Sequence, residues 1–549
     1  MLECDLTKHT IVAGGRRAVP VVRVDGVGSQ EVDDELVDRR QLLHEIPRIL
    51  TAQQSFLDDR VELLVRLGPE HLEACATSWD VIARTHQLSL TPTPVVPPAG
   101  DPVGRHRYPE GMSPAEYLDF PIDPISADRL SAQGLRLGTV DTTDAAAFRV
   151  WLEAETRGFH GPLMNDRQVT EQTTGLTHRR STGVWDDSIA DAESPVATVS
   201  GWPMALTVPG ERSIDTWGIS AVTVAPTHRR RGIARAILES ELRTASALGL
   251  PLAILTVSES TIYGRYGFAP AALTANFTID TSRAAWAGPV PGGRVQFLSI
   301  QELAEQGPEI IERVRLATPG QVEFDGTLWT RLVGTTGDPE ENRKLRCARY
   351  DDESGAAQGF VIYSVTETPN DYSRHTIDVK YLSSATDDAY AALWRFLLEQ
   401  DLVTTITALL RPVDEPLQWM VTDFRAVSGI TQDHLWVRVL DVPTALEARS
   451  YPVDATLVVS VTDPLGFAQG AFSIVVRDGE ATVSSVDETT SDAATIALGV
   501  NELGALYLGT VSATTLERAG RLRSVTAGAA EIADSLFRSA RAPWLSIWF

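Results

Sequence analysis

The stretch that decides the fold is Val224–Ala234, VAPTHRRRGIA, which joins a predicted strand to a predicted helix. The run before it, Asp215–Val224, is apolar and β-branched, as expected of a buried strand. After it, apolar residues recur at helical spacing until Gly249, where the predicted helix stops. Those apolar residues are Ile233, Ile237, Leu238, Leu242 and Leu248.

The loop inside this stretch has the properties of an anion site. The first turn of a helix offers unpaired N–H groups and the positive end of a dipole, which favour a phosphate. Gly232 allows close approach of the backbone, and Arg229–Arg231 add positive charge. A basic surface turn is the alternative interpretation of three adjacent arginines. The strand before and the helix after favour phosphate binding, because context supports a short motif.

Two common phosphate motifs are excluded. The loop has no Gly-Lys-Ser/Thr, so it is not a Walker loop, and it lacks the three glycines of the dinucleotide fingerprint. The spacing Arg229-x-x-Gly232-x-Ala234 matches instead the acyl-CoA pyrophosphate loop of the GNAT acetyltransferases.

Composition limits the classes of partner. The chain has 549 residues, enough for several domains, and a formal charge of −25. So large a negative net charge argues against nucleic acid or an anionic membrane as the main partner. It suits partners that carry amines. The three cysteines, Cys4, Cys75 and Cys347, show no zinc or disulfide spacing, which fits a reducing cytoplasm. No apolar stretch reaches the length of a membrane span.

The patterns along the chain predict four parts. Residues 1–130 form an N-terminal extension and linker of unknown function, partly helical or disordered. Its helical candidates are Asp34–Leu67 and Pro69–Thr85, and Thr91–Pro102 is a proline-rich linker. Residues 1–111 are expected to be accessory, since Met112 is a plausible alternative start. Residues 131–288 alternate strand and helix and carry the loop.

The remaining parts are two further domains. Residues 289–436 repeat the strand–helix character without a phosphate loop. Residues 437–549 combine strands with later helices, and Asp478-Gly479 is typical of a hairpin turn. The last six residues, Trp544–Phe549, are so apolar that we expect them to dock and to fix the position of the terminal carboxylate.

Acetylation of an amine needs an anchored cofactor, a polarised thioester carbonyl and groups that move protons. Strand Ala221–Val224 can pair with the pantetheine amide and offer an N–H to the thioester oxygen. Tyr263 lies in a following loop, where a phenol is suited to protonate the leaving thiolate. A packed aromatic in a glycine-rich turn is the alternative role of Tyr263.

The segment Val222–Ala234, followed by Tyr263–Phe268 (YGRYGF), resembles the Eis (enhanced intracellular survival) family of bacterial N-acetyltransferases. The resemblance continues through Leu435–Arg449 and Leu503–Gly509, ends with the terminal Phe549, and covers roughly residues 135–549. It implies an α/β and α+β protein with tandem GNAT domains, only the first of them active, followed by a sterol-carrier-like domain. It also implies acetyl-CoA as co-substrate, no metal, a homohexamer, and an amine acceptor: a polyamine, an aminoglycoside or a lysine side chain.

The resemblance also implies roles for individual residues. Tyr263 is the expected general acid, and the C-terminal carboxylate of Phe549 is the expected general base. The expected cofactor contacts are Val222, Thr223, Val224, Arg230, Arg231, Gly232, Ile233, Ala234, Arg235, Ser258 and Glu259.

The acceptor half departs from the family pattern. Gly158 and Trp548 stand where the family has acidic residues, and Ala221 stands where it has an aromatic one. His160, in the same loop as Gly158, either moves a proton or is simply a wall or loop residue. Two alternatives for the whole chain follow: transfer of a longer acyl group into space beside Ala221, or a lipid-binding protein with a vestigial acetyltransferase site.

Overall fold

The computed structural model describes residues 112–487 and 493–549, and the backbone of one short strand pair nearer the N-terminus. The chain divides into two compact units, Met1–Gln87 and Leu88–Phe549. The first unit holds the antiparallel pair β1 (Ala13–Gly14) and β2 (Arg17–Ala18). The predicted helices at Asp34–Leu67 and Pro69–Thr85 and the predicted linker lie outside the described residues.

The second unit contains two sheets. Twelve strands form one continuous sheet in the order β3-β4-β5-β6-β7-β14-β8-β13-β12-β11-β10-β9, and five form the other in the order β17-β16-β15-β18-β19. The strands of the large sheet are β3 (Arg136–Thr139), β4 (Arg180–Trp185), β5 (Ala197–Val208), β6 (Arg212–Val224), β7 (Leu252–Thr256), β8 (Ala269–Asp280), β9 (Arg294–Leu298), β10 (Leu345–Asp351), β11 (Ala357–Thr368), β12 (Asp371–Ser384), β13 (Val403–Arg411) and β14 (Val427–Val439). Those of the small sheet are β15 (Thr456–Thr462), β16 (Gly470–Arg477), β17 (Glu480–Ser485), β18 (Ala494–Gly499) and β19 (Leu522–Ser524).

Helices cover these sheets. They are α1 (Pro114–Leu118), α2 (Pro124–Ser131), α3 (Ala145–Gly158), α4 (Asp166–Gly175), α5 (Ile233–Ala247), α6 (Ser260–Tyr263), α7 (Ile300–Ala317), α8 (Gly326–Val333), α9 (Pro339–Asn342), α10 (Asp387–Leu398), α11 (Val442–Glu447), α12 (Val500–Tyr507), α13 (Ala513–Arg518) and α14 (Ala529–Phe537). No helix in the described part of the chain is long and apolar enough to cross a membrane.

The parallel strands β6 and β7 are joined for only part of their length. Their ladder runs from the pair Thr216–Leu252 to the pair Ile219–Leu255. Beyond that point β6 continues for five more residues without β7. Ala221 has a φ of +56°, and the register between β5 and β6 shifts here, which marks a β-bulge. A bulge bends and twists its strand, so it directs the end of β6 away from β7. We call this point of separation the fork.

Strand β14 connects the two halves of the large sheet. It comes from the second strand–helix region but lies between β7 and β8, pairing antiparallel with both. The second region has its own parallel pair, β12 and β13, which is covered by α10. The two predicted regions therefore share one sheet. The boundaries of the four parts stay a prediction.

The predicted helices and strands downstream of residue 135 are confirmed in type, with ends shifted by a few residues. The Asp478-Gly479 hairpin turn is confirmed, since both residues have positive φ, 51° and 82°. The sequence analysis did not identify α1 and α2, which pack on the unit: Tyr117 is fully buried, and the Ser126 hydroxyl donates to the Ala236 carbonyl of α5 at 2.7 Å.

A buried ion pair joins the small sheet to the large one. Arg438 of β14 donates from Nη2 to both carboxylate oxygens of Asp463, at 2.8 and 2.7 Å, and from Nε to the Tyr266 carbonyl at 2.8 Å. Both charged side chains are inaccessible to solvent. A fully desolvated pair is costly to break from one side, because the remaining charge stays buried and unpaired.

We expect Arg438→Ala to lower the free energy of unfolding by about 3–5 kcal/mol, measured by chemical denaturation. The matched control is Arg283→Ala, which breaks the exposed Arg283–Asp423 pair, at 2.6 Å. That loss is expected to stay below about 1 kcal/mol. Equal losses in the two variants would contradict this account of the domain junction.

Candidate active site

The loop before α5 has the backbone of an anion site. Arg230 and Gly232 both have positive φ, 64° and 74°. Gly232 is the N-cap of α5 and supplies no side chain to the first-turn N–H groups, and no acidic residue lies in that turn. A Cβ on Gly232 would meet no atom within 4 Å, so the glycine is required by the backbone angle and not by packing. The N–H groups of Ile233 and Ala234 are thus left at the positive end of the helix dipole.

The three arginines expected to hold the pyrophosphate have different surroundings. Arg230 is exposed. Arg231 bonds the Gln133 carbonyl at 3.0 Å and approaches Asp186 at 3.5 Å. Arg235 bonds Glu239 at 2.6 Å. Two of the three guanidinium groups therefore already have protein partners.

The end of β6 is closely covered on one face. A Cβ added to Gly158, the last residue of α3, would lie 2.4 Å from the Thr223 Cβ, so only glycine permits this contact. The Thr223 hydroxyl bonds that of Thr198 at 2.7 Å, which fixes its rotamer. Val222 and Val224 are half-buried on the opposite face of the strand. The departure at Gly158 thus has a structural cause: α3 packs directly on the predicted cofactor strand.

The main-chain oxygen of Phe549 lies at the fork. It accepts hydrogen bonds from Ser220 Oγ of β6 at 2.9 Å and from Thr256 Oγ1 of β7 at 3.4 Å. The Phe549 ring stands edge-on to Trp202, with centroids 5.9 Å apart. One donor comes from each of the separating strands, so the fork itself positions the terminal carboxyl group.

The segment leading to Phe549 is held by the second strand–helix region and by the connecting strand β14. Trp544 Nε1 donates to the Leu410 carbonyl at 2.6 Å, and Ser546 Oγ donates to Gln321 Oε1 at 2.8 Å. His434 Nε2 donates to the Ile547 carbonyl at 2.7 Å. Burial lowers the pKa of His434 to about 4, so it is neutral at pH 7 and carries its proton on the nitrogen that faces this carbonyl. The predicted docking of the apolar C-terminus is therefore observed.

Tyr263 ends the short helix α6 and is buried, with its ring 6.3 Å from that of Phe268. Burial, together with the nearby Glu259 and Tyr266, raises the pKa of Tyr263 to about 12. Its phenol therefore keeps its proton throughout the physiological range. Ser258 and Glu259 are exposed on the connection between β7 and α6.

Near Phe549 the structure adds a group of residues that the sequence did not indicate. Arg179 stacks on Trp202, with its guanidinium carbon 3.8 Å from the ring centroid, and approaches Asp325 at 3.4 Å. His178 stands edge-on to the same ring. Glu155 of α3 and Arg331 of α8 complete the group. We call Glu155, His178, Arg179, Asp325 and Arg331 the acceptor-side cluster. Its members are far apart in sequence, and only Glu155, polar on the inner stripe of an amphipathic helix, gave a signal.

The loop after α3 lies beside a cavity. His160 is exposed in the loop after α3, with a φ of +61°. A cavity of about 380 Å³ lies beside this loop and is lined by Glu153, Arg157 and Ser194, among others. No group of histidine, cysteine or acidic side chains in the described residues is arranged to hold a metal ion.

Comparison with known proteins identifies the domains. Residues 139–271 and 320–439 each match an Acetyltransferase (GNAT) domain, and residues 442–546 match a Sterol carrier protein domain. The predicted fold class, tandem GNAT domains followed by a sterol-carrier-like domain, is confirmed.

Known proteins are similar to this chain over most of its length. An uncharacterized N-acetyltransferase of Streptomyces avermitilis is 36% identical over 404 residues, which are 72% of this chain and 94% of the relative. The N-acetyltransferase Eis of Mycobacterium tuberculosis is 34% identical over 365 residues, 64% of this chain and 86% of the relative. The crystal structure of Eis1 from Mycobacterium abscessus superposes with a TM-score of 0.62 at 30% identity, covering 76% of this chain and all of that one.

The strand fork, the glycine-capped loop at α5 and the docked C-terminal segment thus occur in a chain that aligns with these proteins over most of its length. The chain is an acetyltransferase and belongs to the Eis family of GNAT N-acetyltransferases.

Proposed function

We propose that the protein transfers an acetyl group from acetyl-CoA directly to a primary amine, with Tyr263 as general acid and the Phe549 carboxylate as general base. The observation that carries the proposal is the position of the Phe549 oxygen, held by Ser220 and Thr256 where β6 and β7 separate. A thioester that follows the free edge of β6 would bring its carbonyl carbon to this point.

The residues present fit acetyl-CoA. The pyrophosphate is expected at the N-terminus of α5, on the N–H groups of Gly232, Ile233 and Ala234, with Arg230 free to move onto it. The pantetheine arm is expected along Val222–Val224, whose edge toward β7 has no strand partner. Ser258 and Glu259 would flank the arm from the other side of the fork. Bound acetyl-CoA supplies the activated acyl group.

The proposed proton transfers use the Phe549 carboxylate at the fork and the Tyr263 hydroxyl at the end of α6. The Phe549 carboxylate takes a proton from the acceptor ammonium, and the free amine nitrogen attacks the thioester carbon. The C–S bond then breaks, and the Tyr263 hydroxyl gives its proton to the leaving sulfur. The adduct nitrogen loses its second proton to solvent as the amide forms. The phenolate is reprotonated from solvent, the Phe549 carboxyl group releases its proton to solvent, and no covalent bond to the enzyme forms.

Acceptors within this proposal are polyamines, aminoglycosides and lysine side chains. Transfer of a longer acyl group gains no support from Ala221, because its side chain is buried in an apolar cluster with Phe148 and Trp151. The family membership further leads us to infer a homo-oligomer, with a hexamer as the expected form.

The pyrophosphate site is tested by Gly232→Ala. An alanine at positive φ costs about 1–2 kcal/mol and shifts the N-terminal N–H groups, so we expect acetyl-CoA affinity to fall by about tenfold, measured by calorimetry. The matched control is Gly249→Ala at the other end of the same helix. It has the same conformation, φ +77°, and the same open surroundings. If the two variants bind acetyl-CoA with equal affinity, the loop is not part of the cofactor site.

The acid is tested by Tyr263→Phe. Removing the hydroxyl should lower kcat by about 10²–10⁴-fold while leaving the acetyl-CoA dissociation constant within about twofold. Tyr266→Phe, three residues away and equally buried at 8% against 7% exposed, is the control and should keep near-normal turnover. Unchanged turnover in Tyr263→Phe excludes the acid role.

The base is tested at the C-terminus. A peptide appended after Phe549 replaces the carboxylate by an amide, so kcat should fall by about 10²-fold or more, with acetyl-CoA binding retained. The same peptide placed at the N-terminus is the control. Full activity of the C-terminally extended protein is incompatible with a terminal base.

A further inference from the structure

The acceptor-side cluster faces the proposed base across one aromatic ring. Arg179 stacks on Trp202 at 3.8 Å, and Trp202 in turn contacts the Phe549 ring at 5.9 Å. On α3, Glu155 lies one turn before Gly158, which touches the predicted cofactor strand at Thr223. The cluster is therefore adjacent to both halves of the proposed reaction centre.

Asp325 already has its partners. Its Oδ1 accepts from the Leu328 N–H at 2.7 Å, capping α8, and its Oδ2 accepts from Arg179 at 3.4 Å. The side chain is 15% exposed. Asp325 thus holds Arg179 in place and has little capacity left for a cationic ligand.

Arg331 has no comparable partner. Over residues 112–487 and 493–549 it forms neither an ion pair nor a hydrogen bond, and Glu155 likewise forms none through its carboxylate. The Arg331 guanidinium and the Glu155 carboxyl group nevertheless interact electrostatically. The Nε of Arg179 is also buried without an acceptor. A buried guanidinium N–H normally has a partner, so the Arg179 Nε is unsatisfied, while the donors of the partly exposed Arg331 remain open to a ligand from solvent.

The charges of the cluster favour an anion. Two guanidinium groups face two carboxylates, of which Asp325 is already paired, and burial raises the pKa of Glu155 to about 7. Near neutral pH the cluster is therefore net positive, although the whole chain carries −25. Planar guanidinium groups match a carboxylate by paired hydrogen bonds. A phosphate dianion fits less well, because Glu155 and Asp325 would repel its second charge.

We propose that the acceptor of this enzyme bears a carboxylate beside its amine, bound by Arg331 and Arg179 while the amine reaches the Phe549 carboxylate. This inference rests on the proposed acetyl transfer and narrows its acceptor to amino-acid-like amines.

The test compares acceptors that differ only in the carboxylate: lysine with cadaverine and lysinamide, and ornithine with putrescine. The readout is kcat/KM with acetyl-CoA. We expect the carboxylated member of each pair to be favoured by about tenfold or more, the effect of a charge-assisted pair. Arg331→Gln should abolish that preference, and Arg331→Lys should restore part of it.

The control is Arg343→Gln on the exposed surface after α9, where the side chain is 74% exposed and pairs with Glu340. It should keep the wild-type ratio. Because each ratio is taken within one protein preparation, partial misfolding of a variant cancels. A wild-type preference for cadaverine or putrescine, absence of turnover with the carboxylated amines, or an unchanged ratio in Arg331→Gln overturns the proposal. If the protein is not an acetyl-CoA-dependent acetyltransferase, calorimetry will show no binding of acetyl-CoA. That result separates failure of the proposed function from failure of this inference.

Discussion

The separation of β6 from β7 after the pair Ile219–Leu255 is the constraint on which the site depends. A parallel pair that continued to the end of both strands would satisfy its own N–H and C=O groups and leave none for a ligand. The bulge at Ala221 prevents this, at the cost of a left-handed residue other than glycine. The same separation of the strands makes room for the C-terminus. The Phe549 oxygen bridges the two strands there by accepting hydrogen bonds from the side chains of Ser220 and Thr256.

The C-terminal segment also explains why one catalytic region needs two further domains. Its contacts reach Leu410 and Gln321 of the second region, and His434 of the strand that runs between the two halves of the sheet. Each contact is a neutral hydrogen bond in a buried setting, where an unpaired group would be costly. Together they fix a residue that is more than 300 positions from β6 in sequence. The second region thus acts as a support that positions the C-terminal carboxyl group, the proposed base.

Sequence reasoning identified what is local and failed where contacts are long-range. The strand–loop–helix unit, Gly232 and the apolar tail each follow a short pattern, so they were predictable, whereas the role of Tyr263 stays a prediction from its position relative to them. The partners of Arg231 and Arg235 were not predictable, because Gln133 and Glu239 become relevant only after folding. The acceptor-side cluster was missed for the same reason: Glu155, Arg179 and Arg331 come from three separate elements. Gly158 was noted as a departure, but only the structure shows that Thr223 occupies the space beside it.

The central claim is that the free edge of β6 and the N-terminus of α5 receive acetyl-CoA. Amide hydrogen exchange with and without acetyl-CoA measures this most directly, because a ligand that pairs with Val222–Val224 and covers Gly232–Ala234 protects those N–H groups. The account predicts slower exchange in residues 220–235 on adding acetyl-CoA, with no change around the β12–β13 pair of the second region. Unchanged exchange at 220–235 under saturating acetyl-CoA, or protection at β12–β13 instead, would contradict it.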